Sequence, residues 1–345
     1  MSAPTQPPRR GLVRRACATL ADRPLLTPVA PAPAGGRFAW LVTGAHLWIL
    51  VGLFLDGWFH IHRPDGESFF TPWHGVLYSG VAATVVVHLR EQSRAGGTSP
   101  GYAASRAGGL VVLSAGVVDA VWHTVLGVEA DLEALLSPPH LLLITAGTLV
   151  FAGPLRAALR SPVGAALPTA LSAAFVVTGL GFFTQYANPF THLYPVVGSS
   201  QPDSGAALSE LQQVSGVAGV VVWALMVGGA VALLRARTAL VPGSLAVAVA
   251  VPSLFMTTLH GRYAFGPAIL LAALATELAG RRLSPALTAF VATTLLITGW
   301  VVTLAATEEL GWSVELLTGS IGSAAAAGYL VGWLVQSGGR APAPA

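Results

Sequence analysis

Residues 38–60 read FAWLVTGAHLWILVGLFLDGWFH, an apolar run in which the only ionisable side chains are His46, Asp56 and His60. About twenty such residues in a helix cross a hydrocarbon core roughly 30 Å thick, so this stretch predicts a membrane span. It also carries groups that a span ordinarily excludes. Windows of the same kind recur near 72–90, 107–126, 138–158, 164–186, 211–234, 240–260, 263–280, 285–305 and 314–336. The expected fold is therefore all-α, a polytopic bundle of about ten transmembrane helices. Composition agrees: of 345 residues, 54% are hydrophobic and 10% charged, with a mean hydropathy of +0.68. Soluble domains carry roughly 25% charged residues, which excludes an ordinary soluble enzyme. Disorder, which needs low hydrophobicity, is excluded for the bulk of the chain.

All 18 cationic side chains are Arg, a bias that fits a GC-rich bacterial genome. Sixteen of them fall in the tails and loops of one side, and only Arg63 and Arg262 fall on the other. The opposite loops carry Asp65, Glu67, Glu129, Asp131, Glu133, Asp203, Glu308 and Glu309. By the positive-inside rule this predicts both termini in the cytoplasm of a bacterial inner-membrane, multi-pass protein. Scattered between apolar runs, the Arg residues make no nucleic-acid patch; the surrounding partner is membrane lipid. Residues 1–36 are Pro-, Ala- and Arg-rich and 337–345 are Gly-, Ala- and Pro-rich, so both are expected to be disordered tails. The tail lacks the apolar core and cleavage site of a signal peptide. Between them, 37–336 forms the helical domain, with 37–160 as a repeat pair and 161–336 as the remaining helices. The single Cys17 excludes disulfides, thiolate clusters and covalently attached haem.

The repeat is carried by polar residues. Asp56-Gly-Trp-Phe-His60 is followed by Thr71-Pro-Trp-His74, and Asp119-Ala-Val-Trp-His123 by Ser137-Pro-Pro-His140. Both obey D-x3-H, a loop, then [ST]-P-x-H opening the next helix. Spacing of four places each Asp and His on one helix face. An ionisable group in a span costs roughly 2.5–3.5 kcal/mol on insertion scales, so Asp56 and Asp119 need partners. A carboxylate with two imidazoles suits a divalent metal, copper or iron, one ion or two. The carboxylate can instead orient a ligating His from behind; the sequence leaves the choice open. Seven of the nine His lie on the outer side, with His62 and His192 read as solvated loop residues. His260 and Glu133 are expected as lesser, catalytic contributors, and Glu129 as an alternative to Glu133. Trp58, Trp73 and Trp122 either belong to the interfacial belt or wall a dry pocket. Gln185, Tyr186 and Glu210 are weak candidates near the same boundary, and the loop 187–209 is long enough to cover something.

The pattern Asp56-x3-His60 … His74 resembles the metal motif of the C subunit of copper membrane monooxygenases, in which D-x3-H is followed after twelve residues by His. Here thirteen residues separate His60 from His74 and sixteen separate His123 from His140. The resemblance covers two short patches. It implies copper at Asp56, His60 and His74, a second copy at Asp119, His123 and His140, and O2-dependent oxidation of a strong C–H or N–H bond in a small-molecule substrate. Membrane di-iron desaturases match less well, because their clustered H-x3-H and H-x2-H-H motifs are missing. No flavin, nicotinamide or iron–sulfur motif is present, so an electron-donor protein or quinone would supply electrons. Two other readings stand beside this one. His46 and His60, and His74 and His88, are each fourteen apart, about four turns or roughly 21 Å, as in a transmembrane di-haem cytochrome b. Outer-facing His and acids also fit a metal or small-solute transporter, or a copper-handling assembly factor.

Overall fold

The computed structural model describes residues 36–63, 70–99, 101–127, 132–160, 166–197 and 206–338, with side chains from 210 in the last segment. Residues 1–35 and 339–345 of the expected tails, and Asp65, Glu67, Glu129, Asp131 and Asp203, lie outside them. The helices are α1 (Arg37–His62), α2 (Pro72–Ala95), α3 (Ala103–Leu126), the single turn α4 (Glu133–Leu136), α5 (Pro138–Phe151), α6 (Gly153–Arg160), α7 (Leu167–Phe183), α8 (Ala206–Arg237), α9 (Ser244–Thr258), α10 (Gly266–Gly280), α11 (Pro285–Thr307) and α12 (Val314–Ser337). Among the described residues there is no strand, only an isolated bridge between Val196 and Leu310.

Every expected window falls on helix, but ten spans is not what helix length gives. Among the described residues six helical segments are long and apolar enough to cross a membrane, or seven if α5 and α6 count together. The expected single span 138–158 is bent by 44° at Ala152. Two further windows, α7 and α9, are apolar but short. The tenth, α2, has the length of a span, but His74 and His88 dilute its apolar character.

The hairpins are closed by glycine. A Cβ on Gly52 would lie 2.5 Å from the Leu77 Cα, and one on Gly80 would lie 2.9 Å from the Ile49 nitrogen, so α1 and α2 touch backbone to backbone. Gly108 of α3 meets the Ala146 carbonyl of α5 in the same way, at 2.7 Å. Close approach through small residues is how helices gain packing where no hydrophobic effect separates them from lipid. Gly328 and Gly332 repeat the device between α12 and α11. Beyond α7 the outer loop plugs into the bundle. Phe190 is fully buried against Trp223 and Phe265, and Trp300 Nε1 donates to the Pro189 carbonyl at 2.7 Å. Val197 N–H and Gly311 N–H then pair this loop with the α11–α12 connection. Glu277 is the one acid inside α10, and its carboxylate accepts the Gly243, Leu245 and Ala246 N–H groups at the start of α9. That is a helix cap supplied by a neighbour.

Candidate metal centre

The two repeats fold into two similar triangles. On α1, Asp56 and His60 lie one turn apart, and α2 brings His74 to the same carboxylate oxygen. Asp56 Oδ1 is 3.6 Å from His60 Nε2 and 3.4 Å from His74 Nδ1. On α3 and α5, Asp119 Oδ1 is 3.3 Å from His123 Nε2 and 3.6 Å from His140 Nε2. The imidazole pairs are 5.9 and 5.6 Å apart between ring centroids. In each triangle three ligand atoms lie within 4.8 Å of one another. With Oδ1-to-nitrogen separations of 3.3–3.6 Å, each triangle is a group that could hold a metal ion. Both carboxylates are buried, Asp119 to 1% exposure, where an ion without partners is costly.

The [ST]-P-x-H motif explains itself in the geometry. Thr71 and Ser137 are the N-cap residues of α2 and α5, with Pro72 and Pro138 in the first turn, where proline's missing N–H costs nothing. The hydroxyl of each cap reaches the imidazole three residues on, Thr71 Oγ1 at 2.8 Å from His74 Nδ1 and Ser137 Oγ at 2.9 Å from His140 Nδ1. Thr71 also accepts the His74 N–H at 3.2 Å, a cap bond that Ser137 does not make. On α3 the His123 Nδ1 faces the Gly127 carbonyl at 3.4 Å, leaving Nε2 toward Asp119. In His123 and His140 the partner sits on Nδ1 while Nε2 faces Asp119, the far-nitrogen arrangement that fixes a metal-binding imidazole, whereas in His74 the one Nδ1 faces both Thr71 and Asp56.

Aromatic side chains surround the triangles. Phe59 and Trp73 stack at 3.8 Å, Phe183 lies 6.3 Å from His140, and Phe182 fills the space that Gly57 leaves beside Asp56. Trp58 stacks on His62, and Trp122 sits beside His123 on α3. One residue escaped the sequence reading. Tyr78, one turn after His74, packs its ring against Gly116, one turn before Asp119, and lies within electrostatic reach of both Asp56 and Asp119. Its ring thereby spans the contact between α2 and α3. A tyrosine at i+4 from a ligand, facing a glycine at i−3 from the next carboxylate, was the available signal.

The lesser candidates go elsewhere. Glu133 is exposed at the start of α4 and belongs to neither triangle. His260, in the turn after α9, lies with His62 and His192 instead. His62 is the last residue of α1 rather than a loop residue, and the His192 ring is held by the Gln185 carbonyl. Burial, then Arg262, His192 and His62, push the His260 imidazole down to about 4. Burial and Arg262 lower His192 as well, against the Gln185 carbonyl, which raises it. The Tyr186 carbonyl accepts from the Tyr194 hydroxyl, and Glu210 is exposed.

Of the histidines expected to pair across a di-haem site, His60 and His74 lie beside one carboxylate, with α1 and α2 in backbone contact at Gly52 and Gly80. His88 Nε2 donates to Ser105 Oγ at 3.1 Å, and Ser105 donates onward to the Val150 carbonyl at 2.8 Å. That chain ties α2, α3 and α5 together. His46 is fully buried with its ring edge-on to Phe151.

Comparison with known proteins finds no matching family model, curated protein or solved structure.

Proposed function

We propose that this chain is a membrane-embedded, metal-dependent oxidoreductase of monooxygenase type, acting on a small molecule near the outer face of a bacterial inner membrane. The observation that carries this reading is the Asp–His–His triangle formed twice at matching positions of two helix hairpins. The donor set fits copper or iron: one carboxylate and two imidazoles, on helices, with a hydroxyl or carbonyl partner on the far nitrogen of two of the four rings. Asp56, His60 and His74 hold one ion, and Asp119, His123 and His140 the other. A bound copper or iron ion supplies Lewis acidity and one-electron redox chemistry. The chain's own residues do the rest. Thr71, Ser137 and the Gly127 carbonyl orient the imidazoles, and Phe59, Trp73, Phe182 and Phe183 keep bulk water away. Tyr78 is placed to hold or move a proton between the two sites. Monooxygenation puts one atom of O2 into a C–H or N–H bond and releases the other as water. It consumes two electrons and two protons, which a donor protein or the quinone pool provides.

The topology proposed with this function is ten passes with both termini inside, as the Arg asymmetry expects. Transport is less well supported. Below the first triangle Gly52 and Gly80 bring α1 and α2 into backbone contact, and His88 is engaged with Ser105, which fits transport through this hairpin less well. The test is O2 consumption by the purified, copper- or iron-loaded protein with a panel of small alkanes and amines and an artificial reductant. Substrate-dependent uptake that disappears in His74→Ala and His140→Ala supports the reading. Full activity in both variants overturns it.

A further inference from the structure

A basic cluster sits at the end of the helices opposite the triangles. Arg90 and Arg94 lie in the last turns of α2, Arg106 in the first turn of α3, and Arg156 and Arg160 on α6. Arg90 and Arg94, like Arg156 and Arg160, are four residues apart, so each pair places two like charges on one helix face, where they repel. Glu91 is the one acid at this end of these helices, and among the described residues none of the five Arg is ion-paired. The three helices meet here by contact. A Cβ on Gly101, just before α3, would lie 2.4 Å from the Ala157 Cα and 2.9 Å from the Arg156 carbonyl carbon. Ser105 fills the space that Gly153 leaves at the start of α6, and Arg106 Nη1 donates to Gln92 Oε1 of α2. We propose that this junction of α2, α3 and α6 binds the phosphate of an acidic phospholipid, with Arg156, Thr98 and Arg106 as its donors.

Two polar atoms mark the junction as more than a topology signal. Arg156 Nε and Thr98 Oγ1, in the segment between α2 and α3, are buried with no hydrogen-bond partner among the described residues. A buried donor left unsatisfied is costly, and an Arg that only orients the chain in the bilayer needs no buried nitrogen. The second half of the chain shows the structural use of the same residue. There Arg235 Nε donates to the Gly280 carbonyl at 2.7 Å and Arg237 Nη2 to the Val335 carbonyl at 3.4 Å, so both close helix ends. A guanidinium and a hydroxyl together call for an acceptor, and the unpaired Arg around them call for an anionic one. The planar fork of Arg matches phosphate oxygens two at a time. Depth then favours a lipid over a soluble ion. α6 turns 44° away from α5 and buries Leu155, Ala157 and Ala158, while Leu159, beside Arg160, is exposed to an acyl chain. A short amphipathic helix at the end of a span belongs at headgroup level, and basic pockets between transmembrane helices take acidic headgroups.

The site lies far along the helices from both triangles and stands whatever metal they hold. For its test the full-length protein is purified in detergent, stripped of lipid, and titrated with dioleoylphosphatidylglycerol or dioleoylphosphatidylcholine. Native mass spectrometry counts the lipid retained. About one phosphatidylglycerol per chain is expected, held in preference to phosphatidylcholine and kept at high salt. Arg156→Gln should weaken it about tenfold or more, for the charge-assisted hydrogen bonds lost, and Thr98→Val by a smaller factor. Arg281→Gln, at an exposed position after α10, should change nothing. Thr98→Val keeps the side-chain shape, so it decides the matter if Arg156→Gln gives no monodisperse gel-filtration peak. Equal retention of the two lipids, an equal loss in Arg281→Gln, or retention unchanged in both Arg156→Gln and Thr98→Val overturns the proposal. Full displacement of the lipid by inorganic phosphate also overturns it, because the ligand is then a free anion.

Discussion

The two Asp–His–His triangles share a motif but not an environment. In the first hairpin the side chains of Asp56 and His60 are 12% and 33% exposed; in the second, those of Asp119 and His123 are 2% and 8% exposed. The third ligand runs slightly the other way, His74 at 13% and His140 at 20%. The caps differ as well, since Thr71 bonds both the backbone and the imidazole of His74 while Ser137 reaches only the imidazole. One sequence pattern has therefore produced a half-open site and a nearly dry one. Electrostatic interactions strengthen as water is excluded, so the second triangle should be the less forgiving of the two.

The strongest way to break the comparison is to remove one partner of each carboxylate. His123→Ala leaves Asp119 buried beside a single imidazole and should destabilise the protein by about 3 kcal/mol, as for a broken buried pair. His60→Ala should cost clearly less, because solvent reaches that edge. Thermal unfolding in detergent, both variants side by side, reads the difference. Equal losses would mean that burial does not distinguish the sites.

Packing comes next. Gly52→Ala places a methyl group against the Leu77 backbone of α2 and should cost about 1–3 kcal/mol by overpacking, with the metal of the first triangle lost before that of the second. Metal content per chain after mild heating checks the order.

The caps give a finer test. Thr71→Ala removes a cap bond and an orienting contact, so it should lower stability by about 1 kcal/mol and weaken metal at the first site. Ser137→Ala should weaken metal at the second by about tenfold or more with little change in melting. Metal competition against a chelator, paired with melting curves, separates the two effects. The smallest structural effect is expected from Tyr78→Phe, which keeps the ring against Gly116 and removes only the hydroxyl. Metal content and melting should stay unchanged while turnover falls, measured as O2 uptake.

Much of the site was legible because membrane sequence makes polar residues conspicuous. Asp56 and Asp119 stand out against their apolar surroundings, and the fixed spacing to His60 and His123 is a helix property that needs no tertiary knowledge. The pairing of His74 and His140 with those carboxylates was legible from the duplicated motif. Tyr78 was not, because its role depends on α2 packing against Gly116 of α3, a contact between hairpins that no local pattern encodes. His62, His192 and His260 were scattered over three segments, and only the outer loop's anchoring through Phe190 and Trp300 gathers them. Helix length falls short of the ten expected spans for a related reason. Mean hydropathy does not reveal the bend at Ala152 or the shortness of α7 and α9, which follow from packing.

The central claim is that two non-haem ions are held by the paired triangles, and metal analysis with an optical spectrum of the copper- or iron-supplemented protein tests it most directly. The account predicts that His74→Ala and His140→Ala each remove one copper or iron per chain, that the double variant removes two, and that no Soret band appears. Unchanged metal content in both single variants, or a Soret band that His74→Ala abolishes, would contradict it.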